Sequence, residues 1–181
     1  MSKQKVVDPF ATKRPRLIPL LITLVVLLFL AVWGFTAMVV EDALWFLPGV
    51  GSESLPTAID LYWDGAQTHL VPGMPEFDLV VAALDAEVPQ IQSWGRGATL
   101  SDATLTELRQ NGRLLEIHYD APVRIRSQFR FSASPVYYIP LSGFNFGERR
   151  IFNQARVGPL ELQSVEQIYS ASARVAQQRA Q

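Results

Sequence analysis

From Leu17 to Val40 the chain reads LIPLLITLVVLLFLAVWGFTAMVV, without one charged side chain. At about 1.5 Å per residue this run makes a helix of about 36 Å, longer than the roughly 30 Å hydrocarbon core of a bilayer, so it can cross with some tilt. A core helix of a soluble domain would keep a polar face at 3.6-residue spacing, and Thr23, Gly34 and Thr36 do not make one. A cleaved leader has a shorter apolar stretch, about 7 to 15 residues, closed by a small-x-small site. Between Gly34 and Glu41 no clean site of that kind occurs, because Met38, Val39 and Val40 are bulky. The chain has no cysteine, which excludes lipoprotein processing. The run is therefore expected to remain as a signal-anchor, with the lipid bilayer as its first partner.

Flanking charge sets the expected orientation. Lys3, Lys5, Lys13, Arg14 and Arg16 precede the run against the single Asp8, whereas Glu41 and Asp42 follow it directly. Basic residues stay on the cytoplasmic side, so the N-terminus is expected in the cytoplasm and everything after the helix outside it, in a single-pass cell-membrane protein. Trp45 and Phe46 suit the outer aromatic belt. Ala31, Gly34 and Ala37 lie three apart and form a candidate helix-packing strip within the anchor.

Beyond the anchor the balance is acidic. The 11 remaining basic residues are all arginine and face 16 of the chain's 17 carboxylates, a net of about −5. Nucleic-acid binding needs a basic footprint, so no nucleic-acid partner is expected. The expected organisation is a basic tail over residues 1–16, a transmembrane helix over 17–40, an interfacial segment and hinge over 41–53, and an outer domain over 54–181. Pro48-Gly49-Val50-Gly51-Ser52 supplies the hinge chemistry.

Inside the outer domain, Ile59, Leu61 and Trp63 alternate before Asp64-Gly65, and Gln67 to Val71 follows, which predicts a β-hairpin. Phe77, Val80, Val81, Leu84 and Val88 form one helical stripe opened by Pro75 and stopped by Pro89. Ser101 caps a second helix carrying Leu105 and Leu108 and closed by Asn111-Gly112. Strands are expected over Arg113 to Asp120, Val123 to Phe131, Val136 to Leu141 and Arg149 to Val157, continuing through Leu160 to Leu162. A last helix begins at Ser164, with Gln167 completing a capping box. Consecutive strands after Gly112 argue for an α+β fold: a mainly antiparallel sheet with about three helices on one face.

Chemical motifs are sparse. Glu116, His118 and Asp120 alternate along one strand, and Arg124, Arg126 and Arg130 alternate on the next segment. A three-residue loop, Ala121-Pro122-Val123, would pair Asp120 with Arg124, His118 with Arg126 and Glu116 with Gln128 on a wet face, a charged ladder rather than a metal site. Trp94-Gly95-Arg96-Gly97 lacks the spacing of a phosphate loop and reads as an exposed interhelical loop. No serine sits in a G-x-S-x-G elbow. No catalytic residue, cofactor or metal set is assigned. Tyr137, Tyr138, Phe144 and Phe146 gather near Arg149 and Arg150, a composition enriched at protein interfaces, and form the candidate docking surface. The expected role is a non-enzymatic accessory or assembly subunit docked to an integral membrane partner. The alternative is an anchored envelope sensor whose outer domain binds a small ligand or a peptide.

Overall fold

The computed structural model describes residues 17–40, 54–95, 97–125, 129 and 131–179. Helix α1, Leu17–Val40, has the predicted bounds. It is long and apolar enough to cross a membrane, and no part of its span is buried. Thr23 and Thr36 return their hydroxyls to the carbonyls of Pro19 and Val32 one turn back, so the run exposes no free hydroxyl donor. The basic tail, the hinge and the Trp45-Phe46 belt lie outside the described residues.

Among the described residues seven strands, β1 (Ala58–Trp63), β2 (Ala66–Leu70), β3 (Ile91–Trp94), β4 (Arg113–Val123), β5 (Ser134–Pro140), β6 (Arg150–Asn153) and β7 (Leu160–Leu162), form one antiparallel sheet in the order β2-β1-β4-β5-β6-β7-β3. Strands β1 (Ala58–Trp63) and β2 (Ala66–Leu70) make the predicted hairpin, with Trp63 opposite Ala66. Asp64 and Gly65 both take positive φ, 49° and 89°, the backbone a two-residue type I′ turn requires. A Cβ on Gly65 would stand 2.9 Å from the Gln110 carbonyl oxygen, so this turn also needs glycine for close approach. Helix α2 (Pro75–Glu87) buries Phe77, Val80 and Leu84. Helix α3 (Asp102–Gln110) starts at Ser101, whose hydroxyl accepts from the Thr104 amide, and buries Leu105 and Leu108. Strands β4 (Arg113–Val123), β5 (Ser134–Pro140), β6 (Arg150–Asn153) and β7 (Leu160–Leu162) then pair in succession, with the short helix α4 (Gly143–Gly147) between β5 and β6. Helix α5 (Glu166–Arg179) closes the fold.

Four expectations are corrected. The hairpin over Arg113 to Phe131 is absent: β4 is one strand of 11 residues through Pro122, and its neighbours are β1 and β5. Pro122 is tolerated because β1 stops pairing at Ala58–His118 and the β4–β5 register shifts between His118 and Val123, so no ladder needs its missing amide. Of the strand expected over Val123 to Phe131, Val123 ends β4 and Arg124, Ile125, Phe129 and Phe131 are in no strand, while Arg126, Ser127, Gln128 and Arg130 lie outside the described residues. Second, helices cover both faces. Ile59, Leu61, Leu115, Ile117, Tyr137 and Ile139 pack under α2 and α5, whereas Leu114, Tyr138 and Phe152 pack with Leu105 and Leu108 of α3. The first layer holds 21 buried residues and the second 6. At roughly 1.5–3 kcal/mol for each fully buried large apolar side chain, the α2/α5 side carries most of the burial energy. Third, Trp94, expected to open an exposed loop with Gly95, Arg96 and Gly97, instead ends the edge strand β3 (Ile91–Trp94), which pairs with β7, and Arg96 lies outside the described residues. Last, the run expected over Arg149 to Val157 breaks after Asn153, and Arg156 takes φ 58° at the turn before β7.

A carboxylate ties the two helices of the larger layer together. Glu87, at the end of α2 and 2% exposed, accepts from Ser164 Oγ and the Gln167 amide through Oε1 and from the Ile168 amide through Oε2. These amides belong to the first turn of α5, where unpaired N–H groups and the helix dipole favour an anion. The cap predicted within Ser164–Gln167 thus comes from 80 residues away.

Candidate functional site

The face of the sheet beneath α3 gathers a polar cluster where β2, β1 and β4 run side by side. Strand alternation puts Asp60, between core residues Ile59 and Leu61, on this face. Its register partners are His69 on β2 and Glu116 on β4, and His118 stands two residues beyond Glu116. Asp60 Oδ1 lies 2.7 Å from His69 Nδ1 and accepts from Gln67 Nε2 at 3.3 Å. Asp60 Oδ2 lies 3.0 Å from His118 Nε2. The chain has two histidines, and both converge on this one carboxylate.

Glu116 is not on a wet face, as the ladder required, but 3% exposed under α3. Arg109 reaches down from that helix and donates Nε to Oε1 at 2.6 Å and a terminal nitrogen to Oε2 at 3.0 Å. That hydrogen bond, above the carboxylate's charge, raises the Arg109 guanidinium above its ordinary value. Burial, with the Glu116 charge next, pushes the Tyr62 and Tyr138 phenols up. Asp60, Glu116 and His118 can each present one ligand atom, all within 4.8 Å of one another, the one arrangement of this kind among the described residues. The expected ladder of His118 with Arg126 and Glu116 with Gln128 is thus replaced by pairing to Asp60 and Arg109.

The candidate docking residues do not form one surface. Tyr137 and Tyr138 are adjacent in β5 and point into opposite cores, 0% and 9% exposed, which removes both from any free surface. Phe146 packs on Tyr169, with ring centroids 5.3 Å apart. Arg149, at φ 52°, donates to the Gln163 carbonyl and to Gln92, holding the chain end of α4 against the β7–β3 side. Phe144 alone of the four aromatics stands in solvent, 73% exposed, with the Arg150 guanidinium 5.1 Å from its ring centre. Arg150 is itself fixed by Asn145 Oδ1 at 3.0 Å and the Glu161 carboxylate at 3.8 Å. Trp94 adds a further aromatic: 46% exposed on β3, it donates its indole N–H to the Gly158 carbonyl beside exposed Val157. In the anchor, Ala31 and Gly34 are exposed, Ala37 is partly covered, and a Cβ on Gly34 would meet nothing within 4 Å.

In comparisons with known proteins, no family model, no curated protein and no solved structure matches the chain.

Asp60, Arg109 and Glu87 were not singled out by sequence reasoning. A signal for Asp60 existed. A two-residue turn at Asp64-Gly65 fixes the hairpin register and sets Asp60 opposite His69. The convergence of His118 on the same carboxylate depends on β1–β4 pairing across more than 50 residues, which no local pattern encodes.

Proposed function

We propose that the chain is a membrane-anchored, non-enzymatic accessory subunit, in which α1 holds the α+β domain at the outer membrane surface for docking to an integral membrane partner. The observation that carries this reading is α1 itself, an apolar helix with no part of its span buried. Such a helix is satisfied only by lipid or by neighbouring helices. Phe144 and Trp94 support docking through the domain, since both hold large apolar rings in solvent on polar supports.

Purification of the full chain from its native membranes in mild detergent tests the proposal. A stoichiometric membrane partner is expected, and Phe144→Ser combined with Trp94→Ser should reduce its recovery at least tenfold while leaving the chain folded. A chain that purifies alone from native membranes, at the size of one copy in its micelle, would contradict it. The second reading, an anchored sensor of a small ligand, is favoured by the histidine–carboxylate cluster around Asp60.

A further inference from the structure

We infer that Asp60, Glu116 and His118 form a binding site for one divalent transition-metal ion of the zinc class, with His69 and Arg109 positioning the two carboxylates. The inference stands on the cluster alone and does not depend on the docking reading.

The residue types fit. An imidazole with two carboxylates suits a first-row transition ion, whereas magnesium and calcium prefer oxygen alone. The three ligand atoms lie within 4.8 Å of one another. Bonds of about 2.0–2.2 Å around one ion bring cis ligands to about 2.8–3.6 Å of each other, a contraction within reach of side-chain rotation on fixed strands. Asp60 and His118 already stand at that spacing. His118 Nε2 is 3.0 Å from Asp60 Oδ2, yet the nitrogen is buried and makes no hydrogen bond. A ring nitrogen at contact distance from a carboxylate oxygen, with no hydrogen bond between them, has the spacing of two ligands on one ion.

Charge points the same way. Asp60 and Glu116 are direct register partners, and like charges placed opposite on adjacent strands repel. Arg109 pairs with Glu116 through both oxygens but makes no such fork with Asp60. A divalent ion between the two carboxylates would replace their mutual repulsion with attraction. The surroundings are arranged as a supporting shell, in which Arg109 fixes the plane of Glu116 while His69 and Gln67 hold Asp60. Three protein ligands leave a further position for water on the His118 side, where that side chain is 32% exposed. The bound ion would join β1 to β4.

The test uses the untagged full chain in detergent, stripped with chelator and titrated with zinc chloride by calorimetry. One equivalent is expected to bind. Asp60→Asn and His118→Gln should each weaken that affinity at least tenfold, and His69→Gln, acting through Asp60, should weaken it roughly tenfold. Cobalt(II) loaded into the unaltered chain should give a visible d–d band that zinc abolishes, so the answer does not rest on variants that fail to fold. Absence of both the zinc equivalent and the cobalt band overturns the assignment. So does zinc binding that all three substitutions leave unchanged, since the ion would then sit elsewhere.

Discussion

Residues in this fold take their character from what lies over them rather than from their place in a pattern. Glu116 alternates with His118 and Asp120 as a solvated face should, yet α3 covers it and leaves a carboxylate 3% exposed. An uncompensated charge at that depth would cost on the order of 3–5 kcal/mol, which is why the Arg109 fork is there. The same cover acts on the phenols. Burial raises Tyr137, Tyr138 and Tyr62 above their ordinary value, near pH 10 in the unfolded chain. Above that pH the unfolded phenols have lost protons that the folded ones retain. The stabilising contribution is therefore complete below about pH 10 and is lost as pH rises through the folded values. Thermal unfolding between pH 8 and pH 11.5 should show a midpoint that is level at first and then falls above pH 10, with a shallower fall in Tyr138→Phe. A midpoint that stays level to pH 11.5 in the unaltered chain would contradict this account.

Elements divide by the range of the signals that make them. The anchor, α2, α3 and the β1–β2 hairpin are legible in sequence because their causes are local: an uncharged run, a stripe behind Pro75, the Ser101 cap, and Asp64-Gly65. Ala121-Pro122 has equally strong turn chemistry and misleads, since β4 runs straight through it where neither neighbour requires the proline amide. Strand β3 is only Ile91–Trp94, too short for alternation to show, and it exists because β7 offers it an edge. The cap of α5 is the same lesson in one side chain. Ser164 does accept from the Glu166 amide at 3.1 Å, but the buried anion at the helix start is Glu87 of α2. Removing it leaves the buried Ile168 amide and the part-buried Gln167 amide and Ser164 hydroxyl without their partner. Glu87→Ala should destabilise the domain by roughly 2–3 kcal/mol, close to the penalty for buried polar groups left unpaired. The exposed control Glu107→Ala should cost less than about 1 kcal/mol. Denaturant unfolding of the two variants checks the order, and equal costs would show that Glu87 does not couple α2 to α5.

For the whole molecule, the central proposal is that one apolar helix holds a separately packed domain outside the membrane. The domain has its own two-layered core around a seven-stranded sheet, and residues Ile18–Val39 of the helix contribute no buried side chain to it. A chain without cysteine offers a clean probe of this arrangement, because any thiol introduced is the sole site of labelling. Gln177→Cys, on the exposed end of α5, and Ser2→Cys, in the basic tail, report the two sides. In sealed right-side-out membranes a membrane-impermeant maleimide should label the Gln177→Cys chain at full length. It should leave Ser2→Cys unlabelled until detergent is added. Labelling of Ser2→Cys before detergent with Gln177→Cys protected, or recovery of the Gln177→Cys chain as a soluble fragment lacking residues 17–40, would contradict the account.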